Sequence, residues 1–232
     1  MNKKLMILVA GALTALAFMA LAGAASAKET KLKCEGAGEC TFTVDPNLAV
    51  EPEFSLLGGD TVKCKGGASG SGAVTGLDAN RESTTSTVQL LFKECKEQNT
   101  IFHFNCQNTA TNGNITTNVM TVHNIALPGT PNEAGVLLTN AGVSFSCAGG
   151  FVPTVVTGNV IGEYENKCGS TSTGKQLKLN FTVAAHGTQT DRTYTGTSYD
   201  LEGMTKEKPY ETAAQTGTGT LTFNQNVELT CA

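Results

Sequence analysis

The chain has 232 residues, a formal charge of −4, 6% aromatic residues, 26 glycines and no tryptophan. This mildly acidic balance excludes an electrostatic binder of nucleic acid and gives no pull toward anionic membranes. Abundant Gly and Thr with few aromatics argue against a helical protein and for many short strands joined by tight turns.

The N-terminus reads Met1-Asn2-Lys3-Lys4, then an uncharged stretch from Leu5 to Ala27 that ends Ala25-Ser26-Ala27 before Lys28. A basic start, an apolar core and small residues at the last and third-last positions read as a bacterial signal peptide, residues 1–27, cleaved after Ala27. The stretch is long enough to span a bilayer, but its later part is rich in Ala, Gly and Thr and the chain that follows is polar and Gly-rich. Cleavage leaves residues 28–232 as one secreted domain of 205 residues. It removes Lys3 and Lys4 with no acid, so 14 basic residues face 20 acidic ones and the charge becomes −6. No cysteine stands at the cleavage point, so lipid anchoring is not expected, nor is stable membrane insertion after cleavage.

All eight cysteines, Cys34, Cys40, Cys64, Cys95, Cys106, Cys147, Cys168 and Cys231, follow the signal. An even number in an exported chain reads as disulfides before metal or redox chemistry. Zinc prefers Cys-x-x-Cys pairs or neighbouring His ligands, and His103, His123 and His186 are scattered. Cys34 and Cys40 enclose a Glu-Gly-Ala-Gly-Glu loop of hairpin length and form the clearest pair. Cys95 and Cys106 look like neighbours, but a turn at Lys96–Thr100 sets Cys95 opposite Ile101 instead. Cys147–Cys168 and Cys64–Cys231 are the remaining candidate pairings, and the connectivity stays open.

Along the chain the apolar period is two. Phe102, Phe104 and Cys106 alternate with polar residues, as do Val143, Phe145 and Cys147, and then Leu177, Leu179, Phe181 and Val183. At the C-terminus Leu221, Phe223, Val227, Leu229 and Cys231 share one parity. These are half-buried strands with one dry and one wet face. Val88, Leu91, Phe92 and Cys95 also fit a helical face, but the Ser/Thr run before them favours a strand through Val88, Leu90 and Phe92.

Val62-Lys63-Cys64-Lys65-Gly66-Gly67 and Phe145-Ser146-Cys147-Ala148-Gly149-Gly150 suggest an internal repeat spanning 60–96 and 142–184, with Leu127–Glu133 as the connection. The expected fold is all-β, an antiparallel β-sandwich with Greek-key or meander connections. A β-barrel or two tandem small β-domains are the alternatives.

Few motifs carry chemistry. Gly66–Gly72 lacks the Lys-Ser/Thr ending of a phosphate loop, and no Gly-x-Ser-x-Gly elbow occurs. His186-Gly187-Thr188-Gln189-Thr190-Asp191-Arg192 is the densest polar cluster, and His186 with Asp191 is the one acid–base pair a hydrolase would use. Sugar platforms need exposed aromatic rings; with no Trp and four Tyr, only Tyr194, Tyr199 and Tyr210 could supply one.

The Cys34/Cys40 pair, the Val-x-Cys strand ends before glycines, Val156-Thr157-Gly158-Asn159-Val160-Ile161-Gly162, Tyr194-Thr195-Gly196 and Thr216–Thr222 form a pattern. In these features the chain resembles a group of uncharacterised exported, cysteine-containing all-β proteins of soil actinobacteria. The resemblance implies secretion and an all-β fold, and transfers no activity or site residue.

The reading is therefore an exported non-catalytic protein of the extracellular space or cell envelope. Its role is binding or surface-structural, with an envelope or extracellular partner and no catalytic, cofactor or metal set. A secreted hydrolase working near His186 and Asp191, or a pilin-like polymerising subunit, are the alternatives.

Overall fold

The computed structural model describes residues 30–56, 61–98, 103–127, 132–147, 154–169, 175–184, 188–189, 193–194, 197–204 and 211–231. The proposed signal peptide and most of the 127–133 connection lie outside them. No helix occurs among the described residues, and every strand pairing is antiparallel.

In chain order the first strands are β1 (Thr30–Cys34), β2 (Thr41–Pro46), β3 (Glu53–Leu56), β4 (Thr61–Cys64), β5 (Ala68–Thr75), β6 (Glu82–Ser83) and β7 (Thr85–Phe92). There follow β8 (Cys95–Glu97), β9 (Cys106–Gln107), β10 (Ile115–Thr116), β11 (Met120–Ala126), β12 (Ala134–Cys147), β13 (Thr154–Tyr164) and β14 (Gln176–Phe181). The last are β15 (Val183–Ala184), β16 (Thr188–Gln189), β17 (Thr193–Tyr194), β18 (Thr197–Ser198), β19 (Leu201–Met204), β20 (Glu211–Phe223) and β21 (Val227–Cys231).

Eight of these strands pair in the order β2-β5-β7-β11-β12-β13-β14-β20, and β20 pairs back onto β2. The path follows the chain, so the connections are a meander, and it is closed. Sandwich-like layers face one another across a core while hydrogen bonding runs round them without a break. Their inward residues include Phe42, Val88, Leu90, Val122, Leu138 and Leu221, all buried. Strand β7 settles the helix-or-strand ambiguity: Val88, Leu90 and Phe92 face the core, and Gln89 points out.

Three long strands, β12, β13 and β20, run past this ring into a second tier. There β13-β19-β20-β3-β4-β8 continue the pairing, an isolated bridge joins Lys96 to Asn105, and β9 pairs back onto β12. Each long strand bends at the level where the tiers meet, at residues with positive φ: Asn140 (56°), Gly158 (124°) and Gly217 (147°). At Gly158 any Cβ would run into the Asp200 carbonyl. In β12 the register slips between Leu138 and Ala141. That bulge is held from outside by Asn118, whose Nδ2 donates to the Asn140 carbonyl (2.9 Å) and whose Oδ1 accepts from Gly142 N–H (2.9 Å). Phe54 stacks edge-on against Phe92 across the junction, with ring centroids 4.7 Å apart.

The other end of the first tier is closed by the sheet β21-β1-β6, with Leu32 pointing into the core. The outer edge of β21 is partly covered: Gly169 N–H donates to the Leu229 carbonyl, and Cys168 is bonded to Cys231. The C-terminal alternation holds, with Leu221, Phe223, Val227 and Leu229 all buried, although a turn divides it between β20 and β21.

Four disulfides form: Cys34–Cys40, Cys64–Cys95, Cys106–Cys147 and Cys168–Cys231. The first is the expected pair. The candidates Cys147–Cys168 and Cys64–Cys231 are not formed, because Cys64 lies in register with Cys95 and Cys147 with Cys106 on neighbouring strands. The turn expected at Lys96–Thr100 is also corrected. Lys96 stays in β8 opposite Asn105 and Glu97 N–H donates to the Phe104 carbonyl, so the chain reverses later. Cys95 thus comes beside Cys106, yet each is bonded to its other neighbour. The two segments of the suggested repeat are built differently: β12 and β13 form a hairpin, whereas β4 and β5 have different partners.

Candidate binding pocket

The interiors of the two tiers are nearly filled, each retaining a cavity of about 60 Å³. The third concavity is larger, about 370 Å³, and lies on the outer face of β11 and β12. Small-molecule sites occupy roughly 300–1,000 Å³, so only the outer pocket reaches that scale among these three.

Its floor follows from strand register. His123 lies opposite Leu137, Ile125 opposite Gly135, and Leu137 opposite Ile161 on the next strand. Alternation places Val122, Val136 and Val160 on the core side, so these neighbours must face outward. An outward aliphatic should be wet, yet Ile125, Leu137 and Ile161 are only 1%, 5% and 2% exposed. With Leu127 they form a second apolar cluster, separate from the main core, against which Tyr194 and Tyr199 pack.

The covering segment is the long excursion between β14 and β19. Gln189, itself buried, ties it to β20: its Nε2 donates to the Thr182 and Gln215 carbonyls (2.7 and 3.2 Å), and its Oε1 accepts from Gln215 N–H (3.3 Å). At its far end the Asp200 carbonyl accepts from Asn159 N–H (3.0 Å) on β13. Between these two ties the chain carries Tyr194 and Tyr199, both half-buried, to the pocket.

The polar part of the lining is a linked pair, His123 Nε2 and Thr139 Oγ1, 3.3 Å apart, together with Thr84 and Asn124. Beneath, Asn124 Oδ1 accepts from the Tyr164 hydroxyl (2.9 Å), and burial pushes that phenol well above its ordinary pKa, so it stays a neutral donor. No carboxylate, Lys, Arg or Cys lines the pocket among the described residues. Among the described residues the arrangement offers two tyrosine side chains, an aliphatic floor and neutral hydrogen-bonding groups.

Of the residues singled out from sequence, the structure brings Tyr194 and Tyr199 together. Tyr210, His186 and Asp191 lie outside the described residues. His103 is exposed on another loop, and the eight cysteines are paired away from the pocket. No group of His, Cys, Asp or Glu among the described residues is placed to hold a metal. Sequence reasoning missed His123, Thr139, Ile125 and Leu137. Their signal was present in Val136-Leu137-Leu138 and Val160-Ile161, since consecutive aliphatics in a strand mean that both faces are covered. No family model, curated protein or solved structure matches the chain.

Proposed function

We propose that the chain is an exported, non-catalytic binding protein of the extracellular space or cell envelope, with the Tyr194/Tyr199 pocket as its binding site. The observation that carries this reading is the pocket itself, a concavity on the outer face of β11 and β12 that among the described residues is lined by Tyr194, Tyr199, His123, Thr139 and Thr84. Four disulfides are compatible with an extracellular protein, and no helix among the described residues is long and apolar enough to cross a membrane. The signal-peptide pattern of residues 1–27 supports the same address. The closed strand path gives the polymerising alternative little to use, because augmentation needs a long free edge.

Incubating the purified exported protein with chromogenic ester, glycoside and peptide substrates tests the reading. The expected result is no turnover above blank, while a thermal-shift screen of small molecules finds stabilising ligands that lose their effect in Tyr199→Ala. Turnover that disappears in His186→Ala or Asp191→Asn would establish the hydrolase instead.

A further inference from the structure

We infer that Cys64, Cys95, Cys106 and Cys147 form a thiol-exchange relay: a small thiol is taken up at Cys147, and the exchange ends with a new Cys95–Cys106 bridge and a free Cys64. The relay stands on strand register and burial and is independent of the outer pocket. Cys64 lies directly opposite Cys95, and Cys106 directly opposite Cys147. The bridge from Lys96 to Asn105 and the hydrogen bond from Glu97 N–H to the Phe104 carbonyl (2.9 Å) share one antiparallel register, which sets Cys95 opposite Cys106. Residues directly opposite on antiparallel strands turn their side chains to the same face. The four cysteines therefore make one continuous row across β4, β8, β9 and β12, on the side of the main core.

Register also fixes which exchanges are within reach. Opposite positions on antiparallel neighbours have Cα atoms about 4.5–5.5 Å apart, inside the roughly 4.4–6.8 Å that a disulfide spans. Cys106 can thus bond to Cys147 or to Cys95 with its strand in place, whereas Cys64 stands two strands away, about 10 Å, and out of reach. Burial fixes where the exchange starts. Cys64, Cys95 and Cys106 are 0% exposed, and only Cys147 of the four is partly exposed. Thiol–disulfide exchange follows access to the sulfur attacked, so an incoming thiolate meets Cys147 Sγ. The Cys106–Cys147 bond breaks, a mixed disulfide forms on Cys147, and the electron pair leaves on Cys106 Sγ. Cys106 then attacks Cys95 Sγ, the Cys64–Cys95 bond breaks, and Cys64 leaves as a thiolate that takes up the proton shed by the entering thiol. Two disulfides and one thiol enter the exchange, and two disulfides and one thiol leave it. A modification at Cys147 is thereby carried to a buried position. β4 and β12 lose their covalent ties, and β8 and β9 gain one where, among the described residues, an isolated bridge joins them.

Purified full-chain protein with its bridges intact is incubated with reduced glutathione at rising concentrations up to the millimolar range. It is then quenched with N-ethylmaleimide in mildly acidic buffer, which stops further exchange, and mapped without reductant. The expected result is a linked Cys95–Cys106 peptide pair, absent before treatment, that grows as Cys106–Cys147 is lost, with glutathione on Cys147 and maleimide on Cys64. In Cys147→Ser the Cys106 thiol is present from the outset, and Cys95–Cys106 with a free Cys64 should appear with no glutathione added. Loss of Cys106–Cys147 with Cys64–Cys95 left intact, or a folded Cys147→Ser that holds only Cys64–Cys95, would show two independent bridges and overturn the relay. Opening of Cys64–Cys95 ahead of Cys106–Cys147, or a Cys106–Cys147 bridge that survives millimolar glutathione, would overturn it too, since either takes the entry point away from Cys147. The wild-type map decides by itself where Cys147→Ser does not fold.

Discussion

Tyr164 shows how one side chain ties the core to the pocket. Its ring is buried inside the first tier, and its hydroxyl donates to Asn124 Oδ1 at 2.9 Å. Asn124 is 4% exposed and its Nδ2 has no acceptor among the described residues, so the amide is held through its oxygen by the Tyr164 phenol. Tyr164→Phe keeps the ring and strands the amide, which should cost about 1–3 kcal/mol of stability. Urea unfolding followed by far-ultraviolet circular dichroism checks this; an unchanged midpoint would show that the amide finds water or another partner. The same pair illustrates what sequence could not reveal. Tyr164 and Asn124 are forty residues apart, and neither belongs to a motif. Only the register of β11, β12 and β13 sets them together.

At the scale of elements, the molecule depends on the bends of its long strands. A straight β12 could serve one tier only; the bulge at Asn140 lets it pair with β11 and β13 above and with β9 and β13 below. Asn118 clasps that bulge with two side-chain hydrogen bonds from an exposed position. Asn118→Ala should therefore destabilise the protein by about 1 kcal/mol, and amide hydrogen exchange should accelerate at Gly142, whose N–H loses its acceptor. Equal exchange at Gly142 in both proteins would remove Asn118 from this role. Period-two alternation made the strand class and many inward faces legible, as in Leu177 and Phe181 of β14 or Val88, Leu90 and Phe92 of β7. It made neither the bends nor the covered outer face legible. A bulge leaves the composition of a strand unchanged, and the outer cluster depends on where a distant excursion comes to rest.

At the scale of the whole molecule, the disulfides mark the same boundary between local and global information. Cys34–Cys40 closes a six-residue separation and could be read from spacing. The other three span 31, 41 and 63 residues, and their partners are fixed by which strands become neighbours. Cys64–Cys95 and Cys106–Cys147 lie side by side across β4, β8, β9 and β12, and so brace the second tier where, among the described residues, an isolated bridge joins β8 to the chain entering β9. Cys168–Cys231 holds the end sheet to the chain that follows β13. Each bridge contributes roughly 2–4 kcal/mol by constraining the unfolded chain, a large share of the stability of a domain this size.

The proposal of an exported protein braced by four disulfides is tested by peptide mapping of the protein recovered from the culture medium or envelope. Digestion at acidic pH without reductant should yield an N-terminal peptide beginning at Lys28 and four linked pairs, Cys34–Cys40, Cys64–Cys95, Cys106–Cys147 and Cys168–Cys231. An N-terminus retaining residues 1–27, a free thiol, or a Cys147–Cys168 or Cys64–Cys231 linkage would contradict it.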